Sequence, residues 1–283
     1  MINAKILSIV AIIYFISSVL YISFLFFKRK RIGQAATLIA LLGLVGHTVG
    51  FLVRWIESYR LGLGHFHVIN LYESLTFTAW SIMLIYFLVE FKIKTKTVGA
   101  YLLPISTALM VYASFFNINS RIGPLPAILK GNFYNYHVIP CFLSYAAFTI
   151  SFGASIVFLM KGMKGNYNSF TKSIFSSFPS PEILDDISYK AIAIGFILFV
   201  FQMVAGLFRT KIIWGSYWNW DLVQICALIT CLIYLIVIHG RFAWSWKGYK
   251  TAVLSIAGFS TIVIGFIVAM GRMFSTGHYP IVK

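Results

Sequence analysis

The stretch richest in chemical potential is Trp214-Gly215-Ser216-Tyr217-Trp218-Asn219-Trp220-Asp221, which gathers aromatic surface and one acid into a short link between two apolar runs. Its three Trp fall at offsets of four and two, with Gly215 between them, so neither helical nor strand periodicity collects them on one face. They form a platform rather than a core. An aromatic belt at a membrane–water interface would account for the indoles, but a belt needs no fixed spacing. The second set of chemical groups is imidazole: His47, His137, His239 and His278 lie in or beside apolar runs, and His67 lies in a loop. An ionisable residue inside a membrane span is costly unless it is partnered, which makes each one a functional candidate. The structural alternative for His47 is a neutral ring hydrogen-bonded between helices, and for His137 a polar residue at the mouth of a span. Cys141, Cys226 and Cys231 all lie within apolar runs, against a disulfide framework or a zinc site. No C-x-x-C-H occurs, so the chain is not expected to carry covalent c-type haem.

The elements that must position these groups are membrane helices. Of 283 residues, 60% are hydrophobic and 11% charged, with a mean hydropathy of +0.87, which excludes an ordinary soluble globular chain. A net charge of +16 raises the question of nucleic acid, but in a polytopic membrane protein such charge collects in cytoplasmic loops, and no nucleic-acid partner is expected. Taking a span as about 20 apolar residues, the sequence predicts an all-α polytopic bundle of about eight transmembrane helices, near 6–27, 33–55, 71–91, 98–116, 138–160, 189–209, 222–240 and 252–271. Residues 1–283 then form a single membrane-integral domain in contact with lipid. Lys28-Arg29-Lys30-Arg31, Lys92/Lys94/Lys96, Lys161/Lys164/Lys172/Lys190 and Arg241/Lys247/Lys250 mark the cytoplasmic loops, which puts both termini and the 214–221 platform outside. The first apolar run has no small-residue cleavage site and reads as an uncleaved helix. The linker 161–188, with Pro179, Pro181 and an acidic Asp185-Asp186 turn, reads as a flexible connector without chemistry.

Three further stretches carry a resemblance. W-G-x-Y-W-x-W-D is followed by Ala227-Leu228-Ile229-Thr230 and a helix-borne His239; Asn70-Leu71-Tyr72-Glu73-Ser74-Leu75 is followed by Trp80; and His137-Val138 is followed by Ser144-Tyr145-Ala146-Ala147-Phe148. Together they resemble the tryptophan-rich WWD haem-handling proteins, specifically the CcsA (ResC) family of cytochrome c synthesis system II. The tail Ser275-Thr276-Gly277-His278-Tyr279 is similar to that family's S-G-x-H-S-Y ending, and His239-Gly240-Arg241 to its L-H-x-R ending. The chain departs from the family pattern at Leu222-Val223-Gln224, where Pro-Lys-Glu is usual after the platform Asp. It departs again at Cys231, where Trp is usual, and at His67, where proline is usual.

The resemblance implies that the chain moves haem b outward and presents it for thioether attachment to the C-x-x-C-H of apocytochrome c. Bis-imidazole ligation needs a His on each face of the macrocycle, so the four His imply two haems, with iron held by His137 and His278 outside and by His47 and His239 in transit. Trp214, Gly215, Tyr217, Trp218, Trp220 and Asp221 would cradle the outer haem. At 1.5 Å per residue His239 lies roughly 27 Å down its helix, and shifted span limits or a tilt of about 20° would be needed to bring it level with His47. No nucleophile of the chain's own is required, because haem and client cysteines react while the protein orients them. Any enzyme role is then that of a cytochrome c haem lyase (holocytochrome c synthase) subunit. The resemblance also implies a CcsB/ResB-like membrane partner, thiol-reducing proteins upstream, and a multi-pass location in a bacterial inner (plasma) or thylakoid membrane, working on its periplasmic or lumenal face. Two other readings remain: a b-type haem electron-transfer or quinone-reactive subunit on the same fold that has lost ligation, kept open by Leu222-Val223-Gln224, and a transporter of another amphipathic ligand with structural His only.

Overall fold

The computed structural model describes residues 2–64, 68–93, 95–116, 118–124, 132–162 and 176–275. Among the described residues the chain is all-helical: α1 (Ile2–Phe27), α2 (Lys30–Arg60), α3 (Leu71–Ile93), α4 (Gly99–Phe115), α5 (Asn132–Gly162), α6 (Pro181–Trp214), α7 (Leu222–Trp244) and α8 (Tyr249–Ser275). Seven of these are long and apolar enough to cross a membrane, and α4 is the shorter apolar helix, with Pro104 inside it. The protein is a multi-pass membrane helical bundle.

Helix ends run past the apolar stretches that announce them. The largest difference is α6, expected over 189–209 and observed over 34 residues, about 51 Å at 1.5 Å per residue against ~30 Å of hydrocarbon. Pro181 sits in its first turn, where a missing N–H costs nothing. Gly215 stops it in the left-handed conformation at φ 75°, its N–H bonded to the Lys211 carbonyl at 3.0 Å. Asp185 and Asp186 are therefore helical, not a turn, and the described end of the 161–188 linker is packed down. Lys161 donates to the carbonyls of Phe178 (3.1 Å) and Pro179 (2.8 Å), and Ser177 to that of Leu25 (3.0 Å). Buried Asp185 takes Arg241 of α7 at 2.5 Å and the Gly248 N–H at 2.7 Å, which ties the α7–α8 turn to the start of α6. The Arg241 guanidinium also stacks over Tyr189, 4.7 Å from the ring centre.

The two larger packed cores share α5 and α6. One is built on α1 to α5 and the start of α6 around Tyr14, Tyr86, Leu102, Ala147 and Ile187; the other joins α5 to α8 around Phe148, Phe199 and Tyr234, with Phe148 and Tyr234 stacked 3.9 Å apart. Lipid is as apolar as leucine, so close approach and polar contacts must hold such helices together. At the end of the bundle remote from residue 214 both devices are present. A serine ladder joins α5, α6 and α8: Ser151 to Ser188 (2.8 Å), Ser151 to Ser255 (2.7 Å) and Ser155 to Ser188 (3.0 Å). At Gly195 an added Cβ would sit 2.8 Å from Phe148, so α6 approaches α5 only because no side chain intervenes.

The segment Asn70–Leu75 proves to be a structural clamp. Asn70 Oδ1 accepts the Glu73 N–H (2.9 Å), while Glu73 Oε2 accepts the N–H groups of Ile69 (2.7 Å) and Asn70 (3.3 Å), a reciprocal cap at the start of α3. The other Glu73 oxygen takes Arg54 of α2 at 2.5 Å, both side chains being only 2% exposed. Arg54 donates further to Asn3 Oδ1 (3.1 Å) and the Ser120 carbonyl (2.9 Å). One buried ion pair thus joins α1, α2, α3 and the loop after α4.

Candidate haem site at the platform end

Between α5, α6, α7 and α8, on the platform side of the serine ladder, lies a cavity of about 270 Å³. Its floor is Cys141 and Tyr145 of α5, Phe199 of α6, and Cys226 and Thr230 of α7; its roof is Trp214, Trp218 and Asp221 of the platform. His137 lies in the wall, and the side chain is fixed rather than loose. Its Nδ1–H donates to the Gln202 carbonyl of α6 at 2.8 Å. A carbonyl can only accept, so the proton is on Nδ1 and the lone pair on Nε2. A second bond of this kind is how ligating imidazoles are usually oriented. Gly206, one turn beyond Gln202, makes room for the ring: a Cβ there would lie 3.0 Å from His137 Nδ1. Pro140 removes the ladder bond to Tyr136, interrupting α5 beside His137.

The platform is built by short-range bonds. Asp221 N-caps α7, accepting the Gln224 N–H at 2.9 Å. The Gln224 side chain accepts the Asn219 N–H (2.9 Å) and donates to Thr210 (3.4 Å), tying the loop back to α6, and Ser216 donates to the Asn219 side chain. Gln224 lies within the stretch that departs from the family pattern, and here it is what holds the loop. Trp220 adopts φ 55°, uncommon for a bulky residue; it is 71% exposed and packs edge-on against Trp218 at 5.6 Å. Trp214 and Tyr217 are half-exposed, and Tyr217 sits under Lys211 Nζ at 5.4 Å and beside Phe208. Gly215 is the helix stop already described.

Of the residues expected to act together, the structure gathers His137, Trp214, Trp218 and Asp221 on one cavity, with Gly215, Tyr217 and Trp220 in the same loop. His278 lies outside the described residues, as does His67. His47 is fully buried within α2, its Nδ1 3.3 Å from the Tyr14 hydroxyl and its ring 4.8 Å from Phe51, with no hydrogen-bond partner at Nε2. His239 is exposed on α7, edge-on to Trp244 at 5.1 Å. Extensive contacts of α2 are with α1 and α3, and those of α7 with α8 and α6, so this arrangement does not bring His47 and His239 together. Among the described residues no cluster of His, Cys, Asp and Glu could hold a bare metal ion. Sequence reasoning missed Gln202, Gly206 and Arg209; their only signal is a polar and small stripe at i, i+4 and i+7 on an otherwise apolar helix.

A family model described as cytochrome C assembly protein matches residues 68–273, and curated relatives extend that match over most of the chain. Cytochrome c biogenesis protein CcsA of Pyropia yezoensis is 32% identical over 285 residues, 88% of this chain and 88% of the relative. The chain belongs to the CcsA family. CcsA of Prochlorococcus marinus is 33% identical over 239 residues, 76% of this chain and 74% of its own. Among solved structures, cytochrome c haem lyase CcmF superposes with a TM-score of 0.65 at 15% identity, over 97% of this chain and 50% of CcmF. This chain therefore spans half the length of CcmF, and that likeness speaks to the fold alone. In this CcsA-family protein the matched region takes in the α3 clamp, α5 to α7 and the platform, and ends near the close of α8.

Proposed function

We propose that this protein is a cytochrome c biogenesis component that carries haem b to the outer face of the membrane and holds it at the platform for attachment to apocytochrome c. The observation that carries the reading is His137: an imidazole on the cavity wall whose Nδ1–H is committed to the Gln202 carbonyl, leaving Nε2 able to ligate iron beneath Trp214 and Trp218. The surroundings suit a large flat apolar ligand with a polar rim, since aromatic and thiol groups form the floor and Asp221, Gln224 and Arg209 stand nearer the roof. The haem brings the vinyl groups that react with the client's thiols. The chain's own residues ligate through His137 Nε2, give stacking surface through the platform indoles, and exclude water with the apolar floor. His278 is proposed as the opposite axial ligand, and His47 with His239 as ligands of a haem in transit, for which α2 and α7 would have to approach one another. In the same reading both termini and the platform face outside, residues 1–283 act as one membrane-integral domain, and the chain works as a system II subunit beside a CcsB/ResB-like partner and thiol-reducing proteins.

The test is an optical spectrum of the purified protein with and without dithionite, on the wild type, His137→Ala and His278→Ala. Loss or marked weakening of the Soret band in both variants is expected; unchanged spectra in both would remove the outer-ligand assignment. Leu222-Val223-Gln224 keeps a second reading, a b-type electron-transfer or quinone-reactive subunit. Complementation of a cytochrome c synthesis mutant separates the two, because only the assembly component restores holocytochrome.

A further inference from the structure

The cavity wall holds two donors that iron ligation does not use. Among the described lining residues Arg209 is the one permanent cation, half-buried on the face of α6 that carries Gln202 and Gly206. It stands three residues, about 4.5 Å along the axis, beyond Gly206 toward the platform. Trp218 also lines the cavity, and its indole Nε1–H is buried without a hydrogen-bond partner. A buried donor of this kind costs free energy unless something completes it. A guanidinium and an indole N–H can both donate to a carboxylate, and a charge-assisted bond to Arg is among the strongest available in a site shielded from water.

We infer that Arg209 and Trp218 Nε1 form a carboxylate subsite in the platform cavity and fix which edge of the bound porphyrin faces outward. The inference rests on the haem-handling function proposed above. The two carboxylates of haem b project from one edge of the macrocycle and the two vinyls from the other side. Holding the carboxylate edge against α6 and Trp218 turns the vinyl edge away from that wall, where a client's thiols can reach it. His137 sets the depth of the iron, but rotation about the iron–imidazole axis is free until a second point is fixed. Arg209 is thus a positioning residue, acting on orientation rather than on the reacting atoms.

The test compares haem b with its dimethyl ester, in which both carboxylates are blocked, by absorbance titration of the purified full-length protein in detergent. Wild type should bind haem b more tightly than the ester. Arg209→Gln should weaken haem b by about 10- to 100-fold, as expected for loss of a charged hydrogen bond, and leave the ester unchanged. Trp218→Phe, which keeps an aromatic ring, should weaken haem b by about three- to tenfold more than it weakens the ester. Arg209→Lys should recover part of the loss. Equal losses for both porphyrins would show that the variants damage the cavity itself, and no loss in either would show that the carboxylates are bound elsewhere; both results overturn the subsite. If wild type takes up neither porphyrin, the haem-handling proposal falls first, and the subsite with it.

Discussion

Replacing Gly206 by alanine separates a role in holding His137 from a role in holding the bundle together. The added Cβ would lie 3.0 Å from His137 Nδ1 and 3.1 Å from Cε1, whereas ordinary contact begins near 3.5 Å. The ring must retreat from α6 by about 0.5 Å. Its hydrogen-bond acceptor, the Gln202 carbonyl, is on the same helix, so the same retreat stretches a 2.8 Å bond to roughly 3.3 Å, the weak end of the range. Loss of the bond that orients a ligating His typically lowers affinity by about 10- to 100-fold. Helix propensity acts the other way, since alanine within a helix is favoured over glycine by about 0.5–1 kcal/mol. The expected result for Gly206→Ala is therefore a haem affinity 10- to 100-fold weaker, with a melting temperature of the ligand-free protein that is unchanged or raised. The assay is haem titration by absorbance beside thermal unfolding of the same preparation. Wild-type haem affinity in this variant would refute the reasoning, and so would a parallel loss of affinity and stability, which would mean that α5 and α6 had moved apart.

Other consequences follow from the buried charges. Glu73→Gln leaves Arg54 without its carboxylate in a site only 2% exposed, so stability should fall by about 3–5 kcal/mol, read as a lower melting temperature in detergent; a variant as stable as wild type would show that the clamp contributes nothing. Asp185→Asn keeps an acceptor for the Gly248 N–H but removes the charge that Arg241 meets at 2.5 Å. It should cost about 1–3 kcal/mol and speed limited proteolysis at the α7–α8 turn, and unchanged cleavage there would count against the tie to α6.

The positions of the spans were legible because a membrane helix needs about 20 apolar residues in a row, and each apolar run lies within a helix except 98–116, whose end residues cap α4. Helix ends were not, because hydropathy stops at the polar headgroups whereas a helix stops where its backbone is capped. Pro181 and Gly215 carry α6 well beyond 189–209, and with it Asp185 becomes a buried partner instead of part of a loose linker. The cavity was legible in part: His137, Trp214, Trp218 and Asp221 are unusual residues at recognisable spacing. Gln202 and Gly206 act through a backbone carbonyl and a missing side chain, which no single residue type advertises. The Asn70–Leu75 stretch was noticed by resemblance, but its physical basis, a reciprocal cap carrying a buried ion pair, depends on Arg54 arriving from another helix.

The placement of the cavity follows from how unevenly these helices are fastened. Serines and Gly195 bring α5, α6 and α8 into contact, while nearer the platform the same helices, with α7, line the cavity. The length of α6 turns small rotations into large displacements. From Ser188 to Trp214 is 26 residues of α6, about 39 Å, so a tilt of about 3° at the serine ladder moves the platform by about 2 Å. That leverage matters because 270 Å³ falls slightly below the ~300–1,000 Å³ usual for pockets that enclose sizeable ligands. A tilt of that size between α5 and α6 would break the 2.8 Å His137–Gln202 bond, whereas moving α7 from α6 gives up only the longer 3.4 Å contact of Gln224 with Thr210. An opening made this way leaves His137 aligned with α6 through its bond to Gln202.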